Sequence, residues 1–348
     1  MRLARWIRRL AAAALLLCLV VVVLGAYVRL NAAGLSCPDW PGCYGAASPA
    51  LISTAASAQA QSAHMPVEVG KAWREMIHRY AAGTLGLIIA ALAALALATR
   101  GRLVSLRFAF TLLGVLLVQA ALGMFTVTLR LTPLIVTAHL VFGMTTLALL
   151  AWLALSVRGS AAPHDAARLP RRLALAALIV LAMQIALGGW TSSNYAALAC
   201  PDLPTCQGHW WPPMDFAHAF VLWRGVDLNY EGGVLGGPAR AAIQLTHRLG
   251  ACAATFMLLL AAGITLRRAP MRRARLAAWA VVGFLILQLL IAISMVETGF
   301  PLALATAHNA GAALLLLATV ALYNAASARP APEAALTSIN ESSRVDPV

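Results

Sequence analysis

Four histidines stand in two matched pairs along this sequence. His78 lies in Glu75-Met76-Ile77-His78-Arg79, and His247 in Gln244-Leu245-Thr246-His247-Arg248. His139 closes Thr137-Ala138-His139, and His308 closes Thr306-Ala307-His308. The offset is 169 residues for both (247 − 78 and 308 − 139). One imidazole in an apolar stretch is usually a packed residue with one hydrogen bond. Four at repeated positions point to a shared task, and the task neutral imidazole does best is metal ligation. Two histidines on neighbouring helices can approach one haem iron from opposite faces. Zinc is the competing ligand, but it wants four converging donors, or three and a water, often with Cys or carboxylate. Two separate pairs favour two haems.

The residues around the histidines refine this. Haem propionates need cationic partners, and Arg79 and Arg248 each directly follow a histidine. The alternative for these two is a snorkelling interfacial Arg. The halves differ at one place, where Glu75 faces Gln244 across the repeat. Positions i and i+3 share a helix face, so Glu75 lies beside His78. Gln cannot exchange a proton there. If one site does chemistry and the other only moves electrons, the N-terminal site is the reactive one. A solvated carboxylate favoured by a helix dipole is the other reading of Glu75.

Two cysteine pairs also repeat. Cys37-Pro38-Asp39-Trp40-Pro41-Gly42-Cys43 matches Cys200-Pro201-Asp202-Leu203-Pro204-Thr205-Cys206, at an offset of 163. Each pair encloses a tight loop, and an outside location is oxidising, so Cys37–Cys43 and Cys200–Cys206 are expected as local disulfides. Cys18 and Cys252 fall in apolar helices and read as small buried hydrophobes. His64, His164, His209 and His218 have no repeat partner and read as loop residues. Trp210-Trp211 and Tyr230 suit either a haem edge or the lipid interface.

These residues need elements to hold them, and composition names the kind. Of 348 residues, 61% are hydrophobic and 11% charged, which a water-soluble domain could not hide. The net charge of +14 comes from Arg clusters between apolar runs, with Lys71 the one Lys. That is the pattern of cytoplasmic loops rather than of nucleic-acid binding. A bilayer span needs roughly 20 apolar residues. Leu10–Val28, Ala81–Thr99, Phe108–Leu129, Leu131–Val157, Leu173–Trp190, Leu249–Thr265, Leu276–Val296 and Phe300–Tyr323 qualify. The first follows a charged start but is too long for a signal-peptide core.

The fold class is therefore all-α integral membrane, with eight transmembrane helices. The basic N-terminus and the Arg-rich connections after spans two, four and six put both termini in the cytoplasm. Two long loops, Asn31–Ala72 and Ser193–Arg240, then lie outside. Each half reads as helix, outside loop, then three helices, giving two parallel four-helix repeats. The halves are 1–157 and 158–324, followed by a disordered cytoplasmic tail, 325–348. All four histidines fall near the outer leaflet.

The Glu-x-x-His-Arg and Thr-Ala-His signatures, their duplication, and a Cys pair in each outer loop resemble the haem A synthase family of cytochrome oxidase assembly. The resemblance covers roughly Ala12–Tyr323. It implies oxidation of the C8 methyl of haem O to a formyl group, with the new oxygen from water. It implies that His78 and His139 hold the substrate haem, that Glu75 serves the reactive centre, and that His247 and His308 hold a cofactor haem b. Cys37 and Cys43 match a redox-sensitive pair, and pairs in both loops mark a subtype. The implied setting is a multi-pass protein of the bacterial inner membrane. Implied partners are haem O synthase, an electron donor or acceptor, and other copies of the chain. Two other classes fit parts of the pattern. A non-catalytic dihaem electron carrier keeps every histidine and leaves Glu75 idle. A transporter on parallel repeats explains the symmetry but not the histidines.

Overall fold

The computed structural model describes residues 2–53, 57, 67–156, 168–225, 228–269 and 271–327. His64, His164 and the proposed half boundary at 157/158 lie outside these. Eight long helices dominate: α1 Arg2–Leu30, α2 Val69–Ala98, α3 Leu106–Thr128, α4 Pro133–Ser156, α5 Arg168–Ser193, α6 Gly237–Arg268, α7 Arg272–Glu297 and α8 Leu302–Ser327. All eight are long and apolar enough to cross a bilayer, and no named strand occurs among the described residues. The chain is a multi-pass membrane protein.

Two helices begin earlier than their apolar runs. The charge-free stretches start at Ala81 and Leu249, whereas α2 starts at Val69 and α6 at Gly237. Each therefore gains 12 residues (81 − 69 and 249 − 237), and those turns carry Glu75, His78 and Arg79, or Gln244, His247 and Arg248. Pro near the first turn of α4 and α6 suits a helix start, where its missing N–H costs nothing. At the other end, α8 continues to Ser327. Ala325–Ser327, expected in the tail, is thus helical, and residues 328–348 lie outside the described part.

Helix α1 packs on α2 and α4, and α3 on α2 and α4. Likewise α5 packs on α6 and α8, and α7 on α6 and α8. Contacts of α4 with α5 and α8, and of α1 with α8, join the two sets. Small side chains line the interfaces: Ala11, Ala14, Ala96, Ala174, Ala177, Ala261, Ala262, Ala278 and Ala313 are all fully buried. Close backbone approach is how helices associate where lipid removes the hydrophobic drive. Large residues such as Leu16, Leu87, Leu117, Phe256 and Trp279 face outward, as lipid contact requires. Cys18 is buried as expected. Cys252 is not: it is exposed, because it sits on the outward face of α6.

The end of α5 and the long loop after it are tied to the first four helices. Arg29, at the end of α1, donates to the Tyr195 hydroxyl at 3.0 Å and to the Ser192 carbonyl at 3.2 Å. Its guanidinium also stacks over the Tyr195 ring. The Tyr230 amide donates to the Arg130 carbonyl in the α3–α4 turn. Tyr230 is fully buried, whereas Trp210 and Trp211 are exposed.

Candidate functional site

His78, His139, His247 and His308 lie 9, 6, 10 and 6 residues beyond the first residues of α2, α4, α6 and α8. At 1.5 Å per residue this is roughly 9–15 Å along each axis. All four helices start on the side that carries the long loops. His78 and His139 stand on α2 and α4, and His247 and His308 on α6 and α8. No group of three or more His, Cys, Asp or Glu that could hold a metal ion occurs among the described residues.

Three of the rings, those of His78, His139 and His247, pack against a glycine of a neighbouring helix. A Cβ on Gly25 of α1 would stand 2.9 Å from His78 Cε1. One on Gly188 of α5 would stand 3.2 Å from His247 Cε1. Gly25 and Gly188 are related by the offset of the Cys loops (188 − 25 = 163), a signal present in the sequence. Side-chain amides complete the surroundings. Gln119 lies 3.4 Å from His139 Nε2, Gln184 lies 3.1 Å from His247 Nδ1, and Gln288 lies 3.2 Å from His308 Nδ1. Gln119 and Gln288 share the 169-residue offset of the histidines, so they too could have been found by alignment of the halves.

Haem fits this donor set. An iron-bound imidazole presents its second nitrogen as N–H and needs an acceptor nearby. The Oε1 atoms of Gln184 and Gln288 are buried and without a hydrogen-bond partner. The Nε2 atoms of the same amides face the rings, so a half-turn of each amide would present its oxygen to such an N–H.

The Cys loops form lids over the helix starts, and both disulfides are present, with Cα atoms 4.6 Å apart for Cys37–Cys43 and 4.5 Å for Cys200–Cys206. Asp39 and Asp202 explain the shared Cys-Pro-Asp. Asp39 accepts from the amides of Tyr44 and Gly45, and Asp202 from those of Gln207 and Gly208 and from the Thr205 hydroxyl. The four amide-bearing residues have positive φ, which turns successive N–H groups toward one carboxylate. The Thr205 hydroxyl and then the Gly208 amide hold the Asp202 carboxyl down to about 2, so it remains an acceptor at any physiological pH. Mass spectrometry of non-reduced peptides from thiol-trapped protein should return Cys37–Cys43 and Cys200–Cys206. Pairing between the loops, or free thiols, would contradict this.

The first loop is joined to Glu75. The Cys37 amide donates to Glu75 Oε2 at 2.9 Å, and Arg79 donates to Glu75 Oε1. Glu75 is 4% exposed, so the reading as a solvated carboxylate does not hold. Arg79 also donates to the carbonyls of Asp39 and Gly42, and Arg248 to those of Thr205 and Cys200. Both guanidiniums thus spend donors on the loops. In the second half, Gln244 is 6% exposed and its Oε1 is unpartnered. His209 is an exposed loop residue, whereas His218, expected in a loop, lies exposed in a short helical turn, Phe216–Ala219, and bonds its capping Asp215 at 2.6 Å.

Comparison with known proteins matches this sequence to a family. The family model described as cytochrome oxidase assembly protein covers residues 8–320. The chain belongs to this family. Among curated members, the Shewanella oneidensis protein named heme A synthase is 42% identical over 320 residues, 91% of this chain and 94% of that one. Proteins of the same name from Rhizorhabdus wittichii and Methylobacterium sp. strain 4-46 are 28% and 30% identical, each over 91% of this chain and over 91% and 90% of their own lengths. For the cytochrome oxidase assembly family, a haem-directed oxidoreductase in the membrane accounts for both the apolar frame and the paired histidines.

Proposed function

We propose that this chain acts as a haem A synthase, oxidising the C8 methyl of haem O to a formyl group. The observation that carries this reading is the buried Glu75 beside His78, where the otherwise matching half has Gln244. In this assignment His78 and His139 hold the substrate haem, with Arg79 on its propionate side. His247 and His308 hold a resident haem b, with Arg248 on that side. The halves 1–157 and 158–324 are two parallel repeats, and the Arg-rich ends put both termini in the cytoplasm of a bacterial inner membrane.

When bound, haem supplies the redox chemistry, and the protein supplies placement and proton handling. His78 and His139 set the depth and face of the substrate, and Gly25 lets the His78 ring lie close to α1. The Glu75 carboxylate takes up a proton as the methyl carbon is oxidised and gains an oxygen from water. Arg79 donates to Glu75 Oε1 and holds that carboxylate in place. The Cys37 amide and the first loop fix its direction and cover it from bulk water. Conversion of methyl to formyl with oxygen from water releases four electrons and four protons, so an electron-acceptor partner is required, and a haem held by His247 and His308 would supply one-electron relay chemistry. Haem O synthase is the natural donor of substrate.

The test is to express the chain with and without haem O synthase and identify the extracted haems. Haem A that forms only when haem O is made is the expected result. A dihaem carrier would return haem b in both cases, and that outcome would remove the enzyme reading.

A further inference from the structure

We propose that Gln184 and Gln288 are positioning residues that lock the rings of His247 and His308 around a permanently held haem, and that His78 in the first pair lacks such a glutamine so that its haem can leave. The inference rests on the ligand assignment given under the proposed function.

An imidazole that binds iron through one nitrogen must present the other as N–H. An acceptor for that N–H fixes the tautomer and ring angle and raises the ligand's basicity. In the second pair both Nδ1 atoms have a glutamine beside them. Gln184 Nε2 is 3.1 Å from His247 Nδ1 and donates to the His247 backbone carbonyl at 2.9 Å. Gln288 Nε2 is 3.2 Å from His308 Nδ1 and 3.3 Å from its Nε2. In each glutamine the nitrogen now meets the ring, and Oε1 is buried without a partner. A half-turn of the amide exchanges the two atoms. Once iron takes one ring nitrogen, Oε1 becomes the acceptor for the other, and a costly orphan is satisfied.

The first pair is built differently. Nδ1 of His78 and Nδ1 of His139 are both buried with no partner. Gln119 meets His139 at Nε2, at 3.4 Å, and its Oε1 is likewise buried without a partner, so within the first pair it is His78 that has no glutamine beside it. On α1 the position matching Gln184 is Val21 (184 − 163), one turn before Gly25, as Gln184 is one turn before Gly188. His78 Nδ1 is without a partner, and an aliphatic side chain accepts nothing. A site whose product must depart is served by ligands that can turn away. A site whose haem stays is served by ligands that cannot.

The experiment uses the purified full-length chain carrying its resident haem. Gln184→Val copies the first half, and Gln288→Leu removes the second amide. Each should speed haem loss to an excess haem scavenger by about 10–100-fold, raise the midpoint potential, and shift the low-spin electron paramagnetic resonance g-values. Gln184→Glu keeps an acceptor and should retain haem with a potential at or below that of the parent. If Gln184→Val does not fold, a Gln184→Glu potential above the parent's still overturns the proposal. Val21→Gln should slow haem release from the first pair, and unchanged release would overturn that half of it. Failure of the ligand assignment looks different, because resident haem would then survive His247→Ala. Haem that depends on His247 but keeps its g-values, potential and release rate in Gln184→Val and Gln288→Leu would overturn this inference alone.

Discussion

Glu75→Gln is expected to stop haem A formation while haem stays bound. The side chain is buried, so its carboxylate does not serve solubility. The change is nearly isosteric and should cost little in packing. Gln also keeps an oxygen to accept the Cys37 amide, the bond that seats the first loop on α2. Gln244 already stands buried at the matching place in the second half, so the fold tolerates an amide there. What disappears is one ionisable group on the His78 face and the charge opposite Arg79. Loss of a positioned acid–base group slows a reaction by roughly 10²–10⁴-fold. Cells that make haem O should then accumulate haem O or a partly oxidised haem on a protein that still binds haem b. Normal haem A output would leave Glu75 as a staple between α2 and the Cys loop, and nothing more. Thermal unfolding and bound-haem content of the same preparation separate a chemical defect from a folding one.

The parts of this molecule legible in its sequence are those that repeat or that lipid dictates. Eight spans follow from apolar length, because a bilayer leaves the backbone no partner but its own helix. The histidine couples follow from one equal offset. The starts of α2 and α6 were hidden for a physical reason. A charge-free run ends at Arg79 or Arg248, yet both residues sit within continuous helix, their guanidiniums satisfied by carbonyls of the loops above. The burial of Glu75 was hidden for the same reason, since its partners are a loop amide 38 residues away and its own neighbour Arg79. Gly25, Gly188, Gln119 and Gln288 were readable by offset, but Gly and Gln carry no metal-ligand signal and are common in helices. Gln184 has no counterpart to betray it, because Val21 stands in its place. Cys252 was misread because an apolar helix in lipid buries only one face, and a period alone does not say which.

His247→Ala and His308→Ala should each remove most of the resident haem. The two rings lie on α6 and α8, which meet only lightly along their lengths but are held in one set by α5 and α7. A haem between them would be fixed by two axial bonds, and losing either halves the covalent hold and opens a cavity at the iron. His247→Ala also strips Gln184 of its ring partner at 3.1 Å, leaving that amide with the backbone carbonyl of residue 247 alone. The low-spin absorbance and the haem-to-protein ratio should therefore fall together in both variants. His78→Ala and His139→Ala should leave that spectrum largely in place, because the first pair lies across the α4–α8 contact in the other helix set. Thermal unfolding of the four proteins provides the control. The helix starts around His247 and His308 are also held by the Arg248 bonds to the second loop and by Pro238 in the first turn of α6, neither of which involves haem. Full low-spin absorbance in both His247→Ala and His308→Ala would sink the assignment, and loss of it in His78→Ala instead would move the resident haem to the first pair.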